Sequence, residues 1–141
     1  MLENFEKAFK IVLDIEGKES NDPKDPGGYT KFGLSSKFNP SVNKNTTIAE
    51  AKEIYRKKYW GKVCDDAPFP MDVCLFDGMV NPQLGGNHEI LEKNPGVSWS
   101  LFLLLRMLRY MKVSKDIHVK GHLFRCLKLC QAILDWKKQS V

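Results

Sequence analysis

Glu16 is the residue whose type and position are best suited to chemistry in this sequence, because it ends an apolar helical stripe and precedes a loop rich in Asp, Pro and Gly. Phe5, Phe9 and Val12 recur at helical spacing, and Glu16 continues the same face. A carboxyl group there lies at the edge of the core, where partial burial raises its pKa. That suits a general acid working near neutral pH, although a structural helix-terminal Glu on the core-facing stripe gives the same pattern.

The elements that position Glu16 follow from local signals. We expect a first helix from about Asn4 to Ile15, with Asn4 as its N-cap and Gly17 as its stop. Residues 21–28 carry strong turn signals, and the short run from Tyr29 to Phe32 favours a strand of a small β-hairpin. The carboxyl group of Glu16 is therefore expected where the first helix meets this hairpin.

Further helices are expected along the rest of the chain. A capping box at residues 47–50 opens a second helix that ends near Gly61, with an apolar face of Ile48, Ala51, Ile54 and Tyr55. Residues 71–80 form a helix that is apolar nearly all round and therefore buried. Asp77 inside that helix needs a partner, because an unpaired buried carboxylate is costly.

The C-terminal part is predicted to be helical as well. A short helical turn is expected near residues 89–93, and Ser98 can cap a helix that runs to about Val113. A last helix over residues 119–138 carries its core stripe at Leu123, Leu127, Cys130 and Leu134. The chain is therefore predicted to be mainly α-helical, with one small β element.

Length and composition indicate an ordinary globular domain. The chain has 141 residues, of which 43% are hydrophobic and 28% charged, so it can bury a substantial core. No apolar run is long enough for a transmembrane helix, and the acidic start is unlike a signal peptide. We therefore expect synthesis in the cytoplasm, so that action outside the cell requires a separate route of release.

The charge is distributed unevenly. The net charge is +5, and residues 99–141 carry nine Lys and Arg against two Asp and Glu. This basic C-terminal third predicts contact with an anionic cell-wall polymer, a membrane surface or nucleic acid, unless it is simply a solvated helix face. Because no nucleic-acid-binding motif is present, nucleic acid is not expected as a partner. The apolar helix near residues 99–113 can either touch lipid or belong to the core.

The cysteines and histidines do not form a metal-binding pattern. No two cysteines form a CxxC pair, and no nearby histidine completes a zinc-binding pattern. This favours buried free thiols at Cys64, Cys74, Cys126 and Cys130. His88 stands alone, and His118 and His122 share a helical spacing without an acidic partner, which predicts surface histidines. No metal or other cofactor is expected.

Several short motifs between residues 3 and 82 form a recognisable series. They are Glu16-Gly17, Ser20-Asn21-Asp22-Pro23, Asp25-Pro26-Gly27-Gly28, Thr30, Gly33-Leu34-Ser35, Ala51-Lys52-Glu53-Ile54-Tyr55, Tyr59-Trp60, Leu75-Phe76-Asp77 and Val80-Asn81. This series resembles glycoside hydrolase family 108, whose members are bacterial and phage N-acetylmuramidases that act as endolysins on peptidoglycan. The chain departs from the family at Lys18 and Glu19, where a glycine and an aromatic residue are usual. After residue 82 the family's C-terminal sequence is not recognisable.

The resemblance implies a single lysozyme-like domain over residues 1–141, of which the part 83–141 is basic and helical. It also implies that this domain cleaves the bond between N-acetylmuramic acid and N-acetylglucosamine. Glu16 is then the general acid. Asp25 either acts as general base, stabilises positive charge on the sugar, or only forms a turn, and Asp22 is an alternative for the same role. Thr30 can hold the attacking water. The side chains expected to contact the glycan, unless they are structural, are Asp22, Tyr29, Tyr59, Trp60, Asp77 and Asn81.

Two other activities remain open on the same fold. If the substrate's own hydroxyl group attacks in place of water, the chain is a lytic transglycosylase. The changed residues Lys18 and Glu19 beside the acid also fit a non-catalytic wall-binding or scaffolding module.

Overall fold

Helices dominate the chain. The computed structural model describes residues 2–16, 19–20, 28–81, 87–113 and 116–139, and these form seven helices and one three-stranded sheet. The helices are α1 (Leu2–Glu16), α2 (Ile48–Lys58), α3 (Lys62–Asp66), α4 (Met71–Val80), α5 (Asn87–Lys93), α6 (Trp99–Val113) and α7 (Asp116–Gln139). The strands are β1 (Glu19–Ser20), β2 (Thr30–Lys31) and β3 (Leu34–Ser35). The predicted class, a mainly α lysozyme-like domain with a small β element after the first helix, is confirmed.

Helix α4 is the central element of the core. Its residues are buried continuously from Asp72 to Gly78, as expected for a helix that is apolar nearly all round. Helices α1, α3 and α6 contact it, and α7 lies against both α1 and α6. Because α1 and α7 both reach the neighbourhood of α4, side chains from three distant segments can meet there.

The small sheet is antiparallel throughout. Strand β2 pairs with β1 on one side and with β3 on the other. The turn between β2 and β3 consists of Phe32 and Gly33, whose φ angles are 52° and 78°. Two-residue turns with positive φ match the twist of antiparallel strands, and glycine adopts this conformation without strain. The predicted hairpin is therefore present, and β1 extends it to three strands.

Several local predictions need correction. The capping box at Thr47 and Glu50 is confirmed, but Ile48 is 52% exposed and does not belong to the buried face of α2. Helix α3 was not predicted, because five residues are too few for a periodic pattern. Helix α1 begins at Leu2, so Asn4 lies in its first turn and is not its N-cap.

The orientation of α7 also differs from the prediction. The fully buried stripe consists of Cys126, Leu129 and Ile133, with His122 in line with it, whereas Leu127 and Leu134 are 53% and 41% exposed. Apolar residues occur on several faces of this helix, so hydrophobic spacing does not select one. Arg125 makes its ion pairs on the buried side of α7, in agreement with this orientation of the helix.

The cysteines and histidines follow the predictions in part. All four cysteines are free thiols, and three of them are buried. His88 and His118 are exposed, as predicted. His122 is not a surface residue, because only 9% of it is exposed and its ring stacks on Tyr110 with 4.7 Å between ring centroids.

Candidate active site

Glu16 is the last residue of α1, and the packing of that helix decides where its side chain lies. The buried residues Phe5, Phe9 and Val12 turn one face of α1 into the core. Glu16 continues this face to the end of the helix, where its side chain is 19% exposed. The carboxyl group is therefore largely shielded from water, as its position in the sequence predicted. Gly17, the predicted stop, lies outside the described residues.

The turn of the small sheet lies directly against Glu16. A Cβ atom added to Gly33 would be 2.7 Å from both Cβ and Cγ of Glu16 and 2.7 Å from the hydroxyl oxygen of Tyr55. The Tyr55 hydroxyl donates a hydrogen bond to the carbonyl oxygen of Phe32 at 2.9 Å. Glu16 is thus held between the core and the β2–β3 turn, and Tyr55 fixes that turn to α2.

This close approach gives a test of the turn. The replacement Gly33→Ala is expected to lower the free energy of unfolding by about 2 kcal/mol or more, because a positive φ disfavours any side chain and the new methyl group overlaps Glu16. Gly61→Ala is the matched control, since a Cβ atom there meets nothing within 4 Å. Urea unfolding followed by circular dichroism measures both variants, and equal stabilities would contradict the assigned packing.

Arg125 of α7 binds the carboxylate of Glu16. One terminal nitrogen of its guanidinium group lies 2.6 Å from Oε1 of Glu16. The other terminal nitrogen lies 2.7 Å from Oδ1 of Asp77, and Nε donates a well-directed hydrogen bond of 3.0 Å to the same oxygen. Arg125 is only 12% exposed, so it joins the two carboxylates in a site with little solvent.

A second arginine completes the pairing of Asp77. Arg106 of α6 donates to Oδ2 of Asp77 at 3.0 Å, and the two side chains are 3% and 0% exposed. Arg106 also donates to the Tyr110 hydroxyl at 2.9 Å and to the carbonyl oxygen of Cys74 at 3.3 Å. The prediction that buried Asp77 needs a partner is confirmed, with two arginines sharing one carboxylate.

Burial and charge act in opposite directions on Glu16. Removal of the carboxyl group from water raises its pKa, and the nearby Arg125 lowers it through charge and a hydrogen bond. The burial effect is the larger one, so the pKa of Glu16 is raised above its ordinary value. The proton is therefore held more tightly than on an exposed glutamate, as a general acid requires.

A polar groove begins beside this cluster. Its volume is about 420 Å³, and its lining includes Asn81, His118, His122, Arg125 and Lys128. Asn81 follows the C-terminal end of α4, and this predicted contact residue lines the same groove as Arg125. Asp77 does not line the groove, because it is fully buried and paired. Of the two open interpretations of Asp77, internal pairing is the one observed.

The three predicted aromatic contacts lie in different environments. Trp60 is 5% exposed, packs edge-on against Phe5 and Phe76, and donates from its indole nitrogen to Asp65 at 2.8 Å. A ring buried in this way cannot stack on a sugar, so the prediction for Trp60 is wrong. Tyr59 is partly exposed and packs on Tyr55.

The other predicted residues lie on or near the hairpin. Tyr29 precedes β2 and is partly exposed, and Thr30 is the first residue of β2. Asp22 and Asp25 lie outside the described residues. The part of the chain that the structure describes holds no group of three or more His, Cys, Asp or Glu side chains that can bind a metal ion.

Three residues of the site were not found from the sequence. Arg125 and Arg106 lie on helices far along the chain from Glu16, and Tyr55 was predicted only as part of an apolar face. The one available signal was Asp77, since a buried carboxylate in an apolar helix predicts a buried cation elsewhere. Hydrophobic spacing cannot identify which of the many basic residues supplies it.

A lysozyme-like helical fold with a shielded carboxylic acid at the end of its first helix is the arrangement of a glycoside hydrolase. The family model Glycosyl hydrolase 108 matches residues 9–82, just over half of the chain, and the chain belongs to this family. SagA of Brucella abortus has a similar structure, with 28% sequence identity and a TM-score of 0.53 over 98% of this chain and 82% of SagA. Curated protein sequences give no significant match. The family and the structural similarity support a glycoside hydrolase with peptidoglycan-related activity.

Proposed function

We propose that this chain is an N-acetylmuramidase that cleaves the bond between N-acetylmuramic acid and N-acetylglucosamine in peptidoglycan. The observation that carries the proposal is the shielded carboxyl group of Glu16, with its raised pKa, which pairs with Arg125 at the edge of an open polar groove that Arg125 lines. In this mechanism Glu16 donates its proton to the glycosidic oxygen as the bond breaks. Family membership supports a glycan substrate.

Asp77 is the carboxylate that the structure places close to Glu16, through their shared partner Arg125. It does not suit the role of the second catalytic group, since two arginines hold it inside the core and no solvent reaches it. On the resemblance of the segment to the family's motif, we assign the base or charge-stabilising role to Asp25, with Asp22 as the alternative. Thr30 of β2 is proposed to hold the attacking water, because it lies in the same small sheet as the turn that contacts Glu16.

Arg125 is proposed to position the acid. Its guanidinium group fixes the direction of the Glu16 carboxylate at 2.6 Å, and its contacts with Asp77 fix the guanidinium group in turn. When Glu16 gives up its proton, the carboxylate that forms is stabilised by a charge already in place. Arg125 thus influences both the geometry and the proton affinity of the acid.

Digestion of purified peptidoglycan followed by mass analysis of the fragments tests this function. A muramidase releases fragments that end in a reducing N-acetylmuramic acid, and this is the expected result. Fragments that end in the anhydro form of that sugar would identify a lytic transglycosylase instead. Binding to the wall polymer without any new ends would identify a non-catalytic module and would overturn the proposal.

The pH dependence of cleavage tests the role of Arg125. Because Arg125 lowers the pKa of Glu16, the replacement Arg125→Met is expected to raise that pKa further. A general acid is active while protonated, so the alkaline limb of the pH–activity profile should move to higher pH, and Arg125→Lys should move it less. Arg109→Met is the control, since Arg109 pairs with the surface residue Glu89 at 2.5 Å. An unmoved limb in a folded Arg125→Met variant would contradict the assigned coupling.

A further inference from the structure

The exposed apolar side chains of this protein are concentrated on its two C-terminal helices. Among the described residues, ten large hydrophobic side chains are at least 41% exposed, and eight of them belong to α6 or α7. Phe38 and Ile48 are the other two. Scattered exposed apolar residues are normal, but a concentration on one pair of adjacent helices indicates a contact surface.

Helix α6 has apolar side chains on two opposite faces. Phe102 and Leu103 are buried in the core, with Arg106 and Tyr110 on the same face. Leu101, Leu104, Leu108 and Met111 recur at spacings of three and four on the other face, and they are between 47% and 60% exposed. A helix that only completes a core would carry polar residues on this outer face.

The outer face continues onto α7. Phe124 and Leu127 are both 53% exposed, and with Met111 they line a groove of about 570 Å³ between the two helices. We call the surface formed by Leu101, Leu104, Leu108, Met111, Phe124 and Leu127 the outer apolar face. Phe124 also lines the polar groove that contains Arg125, whereas the other five residues of the outer apolar face do not line it.

The charges around this surface are positive in sum, because Glu89, which lies in one pocket with Leu108, is paired with both Lys93 and Arg109. Lys120 lines the same groove, and Lys112 follows Met111 on α6 with an exposed side chain. No Asp or Glu occurs in residues 99–113 or 117–134. A second copy bound through the same face would bring like charges together, whereas an anionic surface would neutralise them. A polyanion without apolar groups would neutralise these charges as well, but it would leave the exposed leucines in contact with water.

We propose that the outer apolar face binds the surface of an anionic phospholipid membrane. The leucines, Met111 and Phe124 enter the boundary between headgroups and acyl chains, and Lys112 and Lys120 meet the anionic headgroups. No helix among the described residues is long and apolar enough to cross a membrane. This binding is independent of the proposed glycan cleavage.

Co-sedimentation with vesicles tests the proposal on the full chain. Vesicles that contain phosphatidylglycerol and phosphatidylcholine are expected to bind the protein at least about tenfold more tightly than phosphatidylcholine alone, because binding uses both charge and apolar contact. The double replacement Leu104→Ser and Leu108→Ser is expected to weaken binding to the anionic vesicles roughly tenfold or more. Lys112→Gln with Lys120→Gln should remove most of the preference for anionic lipid.

The control uses exposed apolar residues that lie elsewhere. Phe38→Ser with Ile48→Ser removes two side chains of similar exposure, 65% and 52%, and should leave vesicle binding unchanged. Equal loss in both double variants, or no binding to anionic vesicles, would overturn the proposal.

A dimer in sedimentation velocity that disappears with Leu104→Ser and Leu108→Ser would assign the outer apolar face to a second copy instead. The Glu16→Gln variant should still bind vesicles, so failure of the cleavage proposal can be distinguished from failure of the membrane proposal.

Discussion

Replacing Glu16 with Gln is expected to reduce the rate of peptidoglycan cleavage by about a thousandfold or more. The amide is nearly the same size as the carboxyl group, and its oxygen can still accept a hydrogen bond from Arg125. It cannot supply a proton to the glycosidic oxygen, and general acid catalysis contributes factors of about 10² to 10⁴. The measurement is the release of new reducing ends from purified peptidoglycan under conditions in which the unaltered protein is active.

The stability of the same variant separates catalysis from folding. Because the pKa of Glu16 is raised in the folded protein, its ionised form at neutral pH is less favourable there than in the unfolded chain. This destabilising contribution is absent below the ordinary pKa of Glu and is present above the raised pKa. A neutral Gln avoids it, so Glu16→Gln is expected to unfold at a temperature no lower than the unaltered chain.

Glu89→Gln is a matched control for both measurements. Glu89 also pairs with an arginine, Arg109, at 2.5 Å, but at the surface of α5 and α6. Its replacement should leave cleavage unchanged and lower the unfolding temperature by only a few degrees, because an exposed ion pair contributes about 1 kcal/mol or less. If Glu16→Gln cleaves peptidoglycan as fast as Glu89→Gln does, Glu16 is not the acid, and another carboxyl group must be sought.

The N-terminal half of the fold could be predicted because its signals are local. Helix α1 follows from apolar spacing, the start of α2 from its capping box, and α4 from an apolar run of helical length. Glu16 was found for the same reason, since its helix orients it without help from distant residues. Local signals also indicated the hairpin, although they did not show that its turn contacts Glu16.

The remaining parts of the site depend on contacts that no local pattern encodes. Arg125 and Arg106 reach Asp77 from α7 and α6, which lie beyond the segment 9–82 that matches the family. In α7 the apolar residues would allow several orientations, and the one observed turns Arg125 inward and leaves Leu127 exposed. Trp60 was misassigned for a related reason, because an aromatic residue near a helix end can face either a groove or the core.

The replacement Asp77→Asn is expected to lower the free energy of unfolding by about 3–5 kcal/mol. Asp77 is fully buried, and its carboxylate is the shared partner of Arg106 and Arg125, which are 3% and 12% exposed. The neutral amide leaves both guanidinium groups with too little negative charge in a site that water hardly reaches, and such uncompensated charges are costly. Total stability for a domain of this size is about 5–15 kcal/mol, so the variant should be close to unfolding at 37 °C.

Asp65→Asn is the matched control for this prediction. Asp65 also pairs with an arginine, Arg56, but both side chains are about one third exposed or more. The amide oxygen of Asn can still accept the hydrogen bond from the Trp60 indole, so the replacement should cost about 1 kcal/mol or less. Urea unfolding gives both values, and equal losses in the two variants would contradict the assigned role of Asp77. A double-mutant cycle with Arg106→Met isolates the pair. Because Arg106→Met removes one of the two buried charges, the double variant should lose less stability than the sum of the single variants.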